Sequence, residues 1–204
     1  MAVNAPNPFE LSAGHPALDF VNTLDDRFFD TGPNELLTSY DDLLRFATQS
    51  GLLTEKQSRK LRRLDVSPTA RTQVLQEARE LREAISAVVY SRIDGAPVPE
   101  ASLVVLENQF KEAASHRSLT AEDGGFAWDW RGLGRQPAAP VWLLAEAAAD
   151  LLVSGQVAAL RACSDSACRW LFLDTSKNHT RRWCNMRVCG NRMKARRFQA
   201  RQSA

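Results

Sequence analysis

The residues in this sequence best suited to chemistry are Cys163, Cys168, Cys184 and Cys189, the only cysteines among 204 residues. They fall into two C-x4-C pairs with fifteen residues between them. Two thiolates a few residues apart on a tight turn can grip one face of a metal ion. A second pair completes a tetrahedron, and soft thiolate ligands suit Zn2+. With every position filled by protein, such an ion holds a fold together and keeps no open position for water. Arginine-rich sequence follows both pairs, and cationic neighbours favour thiolates. Two other fates are open to the same residues: two disulfides in an oxidising compartment, or an iron–sulfur cluster, which usually takes other spacings. His179 lies between the pairs and reads as a neighbour of the metal rather than a ligand, because four thiolates suffice.

The residues around the cysteines read as one small unit. Trp170–Leu173 is a β-prone run, and Asp174-Thr-Ser-Lys-Asn178 is rich in side chains that hydrogen-bond their own backbone in turns. Arg182-Trp183-Cys184 is expected to return as a strand. Residues 191–201 are good helix formers with no breaker. The whole describes a zinc-ribbon or treble-clef-like module too small to bury much core, so the metal is expected to supply its folding free energy.

The pattern C-x4-C-x-W-x-F-x-D-x-S-x-N, followed by R-R-W-C-x-M-x-x-C-G-N-R-x-K, resembles the CGNR zinc-finger family, whose tetrad stands here as Cys189-Gly190-Asn191-Arg192. This resemblance covers about a fifth of the chain. In that family the finger ends bacterial proteins regarded as stress-responsive transcription regulators, and the preceding part is called the ABATE domain. The tract His15-Pro-Ala-Leu-Asp-Phe-Val-Asn-Thr-Leu24 is similar to that domain's opening. The resemblance implies a sensor or dimerisation domain over residues 1–155 and a zinc-finger module over 156–204. It also implies duplex DNA as partner and a small-molecule effector, and the symmetry of operators leads to the expectation of a homodimer.

Charge agrees with a polyanionic partner. Residues 161–204 carry eleven Lys/Arg against Asp165 and Asp174, a net of +9, whereas residues 1–160 carry −7. A field of that density on a rigid module attracts nucleic acid. Lys177, Arg181, Arg182, Arg187, Arg192, Lys194, Arg196, Arg197 and Arg201 are the candidate DNA contacts, with Arg192 or Arg196 placed to reach base edges.

The remainder reads as mainly α with a small β-hairpin, an α+β chain. Residues 1–12 form a loose lead-in. A short helix from His15 to Leu24 turns Leu18, Phe20 and Val21 inward and embeds Asp19, Asn22 and Thr23 among them. Polar groups in an apolar run are satisfied locally or face a pocket, which makes His15, Asp19 and Asn22 candidate ligand contacts. Ser39, Thr54 and Ser67-Pro68 are helix starts. After Ser67, Val74, Ala78, Leu81, Ile85 and Val88 make one long apolar seam that Gly95 ends. Glu100–Ser115 is a helix expected to turn Leu103, Leu106, Phe110 and Ala114 inward. Phe126, Trp128 and Trp130 alternate along a strand whose partner is 118–121, and their shared face is expected to cap the core. Failing that, Trp128 and Trp130 would line a ligand pocket. Val141–Leu152 is a buried helix, and 156–161 a short helical hinge.

No Walker loop, GxGxxG, GxSxG or HExxH occurs, and the three histidines share no motif, so an enzyme is not expected. No run of eighteen apolar residues and no signal-like N-terminus is present, so the expected location is the cytoplasm and no membrane is expected as partner.

Overall fold

Local capping chemistry accounts for where most helices begin. The computed structural model describes residues 9–202. His15 caps α1 (Pro16–Val21) by accepting the Ala17 N–H at Nδ1. Ser39 and Asp42 form a reciprocal capping box on α2 (Tyr40–Gln49), and Thr54 and Gln57 do the same for α3 (Glu55–Arg62). Ser67 caps α4 (Pro68–Asp94), which runs 27 residues to Gly95, left-handed at φ 68°. The seam of α4 is buried from Val74 through Ile85. α5 (Glu100–Ser115) and α6 (Ala139–Val153) pack beside it, and α1 packs against α6 and α4. These helices close one continuous core.

Three two-stranded antiparallel sheets decorate the helices. β1 (Leu24–Asp25) pairs with β2 (Asn34–Glu35), a pairing that no pattern in the sequence announces. Arg82 of α4 fixes it: 3% exposed, its guanidinium donates to both Glu35 carboxylate oxygens at 2.7 Å. β3 (Arg117–Glu122) and β4 (Gly125–Trp130) form the expected hairpin in register Leu119 to Trp128. Its aromatic face does not cap the core. Phe126 is 76% and Trp128 62% exposed, and Leu119 opposite Trp128 is exposed too. Only Trp130, next to the helices, packs against the core. A two-stranded ribbon reaches core only at its root, which sequence periodicity does not register.

The third sheet joins the two halves of the chain. After α6 a 3-10 turn (Gly155–Ala159) leads into β5 (Leu160–Ala162), which pairs with β6 (Leu171–Leu173). The expected helical hinge at 156–161 is therefore 3-10 turn to Ala159 and strand from Leu160. The expected returning strand at 182–184 is irregular: β5 pairs with one edge of β6, and Asn22 and Ala13 take the other. Residues 171–173 are buried against α1. The Asn22 side chain donates to the Leu171 carbonyl at 2.9 Å and accepts the Leu171 N–H at 3.0 Å, as a neighbouring strand would. The Leu173 N–H donates to Ala13 O at 2.8 Å. The C-terminal module thus shares the core of the helical part and does not build its own.

Of the loose lead-in expected over residues 1–12, residues 1–8 lie outside those described. Phe9 is buried, edge-on to Phe46 at 5.3 Å, so the stretch from there onward packs.

Asp19 accepts the Ala13 N–H at 2.9 Å, and burial raises its pKa from the usual 3.8 to about 6. Between about pH 4 and 6 the native chain holds a proton on Asp19 that the unfolded chain has released. Its contribution to stability is therefore fullest below pH 4 and is lost as pH rises through 6. Asp19→Asn is expected to gain on the parent over that interval and to match it at the acid end, as read from urea midpoints at each pH. A difference that stays constant from pH 4 to 7 would contradict this.

Candidate metal centre

Two turns bring the cysteines together. In the first, between β5 and β6, the Cys163 N–H donates to Trp170 O at 2.8 Å and the Cys168 N–H to Asp165 O at 3.0 Å. Arg169 follows in the left-handed conformation, φ 50°. The second is a single π-helical turn, Met186–Gly190, entered through Asn185, whose side chain accepts the Arg187 N–H. The Ser164 N–H donates to Arg182 O at 2.8 Å and ties the approach of the second pair to the first.

The four Sγ atoms all lie within 4.8 Å of one another, and all four residues are buried. Cys184 Sγ stands 3.6 Å from both Cys168 Sγ and Cys189 Sγ, far beyond a disulfide bond of about 2 Å. Sulfurs about 2.3 Å from a central zinc are about 3.8 Å apart, which matches these separations. No disulfide joins the cysteines. As thiols they crowd one another's charge. Hydrogen bonds from Cys168 and Cys184 bring Cys163 down to about 2. Those same bonds push Cys168 and Cys184 up, and burial raises Cys189. A divalent cation resolves that competition by replacing the protons.

The residues of the Cys189-Gly190-Asn191-Arg192 tetrad have separate tasks. Cys189 supplies a sulfur. At Gly190 a Cβ would meet Met186 Sδ at 2.4 Å, so the methionine lies across bare backbone. Asn191 Nδ2 donates to Arg187 O at 3.1 Å and closes the π turn. Arg192 donates from Nη2 to Cys189 Sγ at 3.1 Å and from Nε to Asp165 at 2.6 Å. Asp165 lies inside the first cysteine pair and is fully buried. One guanidinium thus links the two turns, and Arg196 adds a longer contact to the same carboxylate at 3.3 Å.

The other basic candidates divide the same way. Arg181 is structural: it donates to Trp183 O at 3.0 Å, Ser12 O at 3.2 Å and Cys184 O, and stacks over Phe172. Arg182 lies over Trp183 at the surface. Lys177, Arg187, Lys194, Arg197 and Arg201 are exposed and have no acidic partner among the described residues. Helix α7 (Asn191–Gln202) sorts its cations by face. Arg192 and Arg196, one turn apart, point to Asp165. The 3.6-residue period sets Lys194, Arg197 and Arg201 together on the opposite side.

His179 stays outside the cluster, with Nδ1 against Asp174 O at 3.1 Å. His15 is spent on capping α1, Asp19 on the Ala13 N–H and Asn22 on the joint to β6, and Trp128 and Trp130 stand on the hairpin under Arg117. The structure does not gather these five around one cavity among the described residues. Asp165, the contact of Arg169 with Asp94 at 2.7 Å, and the Tyr90 hydroxyl on Arg169 O at 2.8 Å are not foreseen from the sequence. Asp165 alone carries a signal there: it is one of two acids in the basic segment.

Comparison with known families now bears on this geometry. The ABATE family model, described as a putative stress-induced transcription regulator, matches residues 14–155. The chain belongs to that family. The CGNR zinc-finger model matches residues 159–202, the segment that holds the four-cysteine cluster. Zinc is accordingly the cofactor of this ABATE-family chain, and the donor set fits it. A search of curated proteins finds no match to the chain. No helix among the described residues is long and apolar enough to cross a membrane.

Because Arg192 touches both a metal-binding sulfur and Asp165, Arg192→Ala is expected to lower zinc affinity by about 10–100-fold. Arg192→Lys, with a point charge in place of a fork, should recover only part of this. Competition with a chromophoric chelator reads both. Affinity unchanged in Arg192→Ala would remove the role.

Proposed function

We propose that this ABATE-family chain is a cytoplasmic, non-enzymatic transcription regulator that binds duplex DNA through its zinc module. In this reading Cys163, Cys168, Cys184 and Cys189 hold a structural zinc, and the outer face of α7 meets the DNA. One observation supports it above the others: the cations of α7 are segregated, two spent on Asp165 and three, Lys194, Arg197 and Arg201, left facing away from the protein. Phosphates attract such a row and set the helix on the duplex. Arg182, Arg187 and Lys177 extend the basic surface along the same module. Arg181 and Arg192 act indirectly, by holding the module's shape. The helical domain senses a small effector and dimerises, and the exposed Leu119, Phe126 and Trp128 face of the hairpin is suited to cover by a second copy.

Exposed Phe198 beside this basic row is the one feature that favours single-stranded RNA, on which an aromatic ring could stack. Trp170 gives no such help, since its indole N–H is bound to Asp25 at 2.8 Å.

The triple variant Lys194→Ala, Arg197→Ala, Arg201→Ala should weaken binding to every duplex while keeping its zinc. The log–log salt slope should become shallower by about 0.9 for each phosphate that is no longer neutralised. Fluorescence anisotropy across a salt series measures it. An unchanged slope would sink the α7 reading, and stronger binding to single-stranded RNA than to duplex would move the proposal to an RNA adaptor.

A further inference from the structure

The stripe of α5 expected to be inward is only partly covered by neighbouring helices: Leu106 is buried, but Leu103 and Ala114 are exposed. Leu103 is 48% exposed, and Leu106, Phe110 and Ala114 line a cavity of about 700 Å3. Val89 of α4, Leu152 of α6, and Val157 and Leu160 of the segment entering β5 complete its walls. The volume is that of a small-molecule site, and the walls are mostly apolar, with Arg92, Glu107 and Lys111 the charged residues of the lining. From Leu103 to Ala114 the lining spans eleven residues of helix, about 16 Å at 1.5 Å per residue, so the space is long.

One end is cationic. A smaller cavity of about 150 Å3 shares Arg92, Val157 and Leu160 with the large one and adds Arg161. Arg161 donates only to the carbonyls of Ala158 and Leu160, at 2.9 and 2.8 Å. Arg92 has no carboxylate partner among the described residues. On the same rim Lys111 and Glu107 neutralise each other at 2.7 Å. Two guanidinium groups without counter-charges therefore stand where a long apolar space ends.

We infer that this cavity binds an elongated apolar molecule ending in a carboxylate, with its tail along α5 and its head between Arg92 and Arg161. Burying an aliphatic tail supplies the affinity, and a fork of N–H donors for a carboxylate supplies the selectivity. The walls Val157 and Leu160 belong to the segment that delivers the chain to Cys163, so the occupant would press on the entry to the zinc module. That consequence for DNA rests on the proposed function. Binding itself does not.

The test is calorimetric titration of the zinc-loaded full chain with hexanoate, octanoate and decanoate below their micelle concentrations, and with octanol and octyltrimethylammonium. Saturable 1:1 binding is expected, tightening by up to about fourfold per added CH2. Octanoate should bind at least tenfold tighter than either non-anionic probe. Arg92→Gln with Arg161→Gln should erase that preference and keep octanol binding. Ala114→Trp, at an exposed position of the lining, should abolish binding of every probe with the circular dichroism unchanged. The proposal is overturned by no saturable binding, by equal affinity for octanoate and octyltrimethylammonium, or by normal binding to Ala114→Trp. It is also overturned if sedimentation finds an apo dimer that Leu103→Lys splits, since a second copy would then fill the groove. None of these readouts contains DNA, so the two proposals fail separately.

Discussion

Four sulfurs held within 4.8 Å of one another, and buried, are the constraint on which this structure turns. As thiols they compete for charge: their mutual hydrogen bonds favour the thiolate at Cys163 and disfavour it at Cys168 and Cys184. As zinc ligands they fasten two hydrogen-bonded turns to one another: a knuckle between β5 and β6, and one π-helical turn before α7. Arg192 and Asp165 act on the same centre from outside it. The guanidinium compensates part of the thiolate charge at Cys189 and pins a carboxylate from the opposite turn. Much of the module's net positive charge is therefore not spare. Some of it belongs to the metal centre, and the surface charge offered to a partner is smaller and more directed than the net +9 of residues 161–204 suggests.

The module is also not a pendant. β6 docks against α1 through Leu171–Leu173, with Asn22 acting as a surrogate strand edge, and Arg169 reaches α4 at Asp94 and Tyr90. Satisfying both backbone groups of Leu171 matters because leaving a buried donor or acceptor unmade costs about 1–3 kcal/mol each. Through these contacts the metal centre is continuous with the helical core, and the segment Val157–Leu160 is both wall of the long cavity and root of the first knuckle. Shared residues of this kind are a physical basis for coupling between a ligand in the helical part and the orientation of α7.

Local chemistry is the legible part of the sequence. The capping residues Ser39, Thr54 and Ser67, the terminating Gly95 and the paired cysteines act over a few residues, and each stands where local rules put it. The periodic stripes tell which side chains share a face but not what covers it. Leu103, Leu106, Phe110 and Ala114 do share one, yet an open cavity lies against it. Phe126 and Trp128 share one, yet face solvent. The roles of Arg181, Arg192 and Asn22 depend on partners 149 or more residues away, or across the metal centre, and no spacing announces those. In the basic segment, composition tells how many charges there are and the fold decides which are free.

Hydrogen exchange on the zinc-loaded chain, before and after a strong chelator, tests the central claim most directly. If the ion holds both turns and the turns hold the joint, removing it should strip protection from the amides of Cys163, Cys168 and Gly190, then from Leu171 and Leu173. The change should reach Asn22 and α1 and leave the middle of α4 protected. Protection of Leu171 and Leu173 that persists unchanged without zinc would contradict the account, since the sheet and its joint to α1 would then stand without the metal.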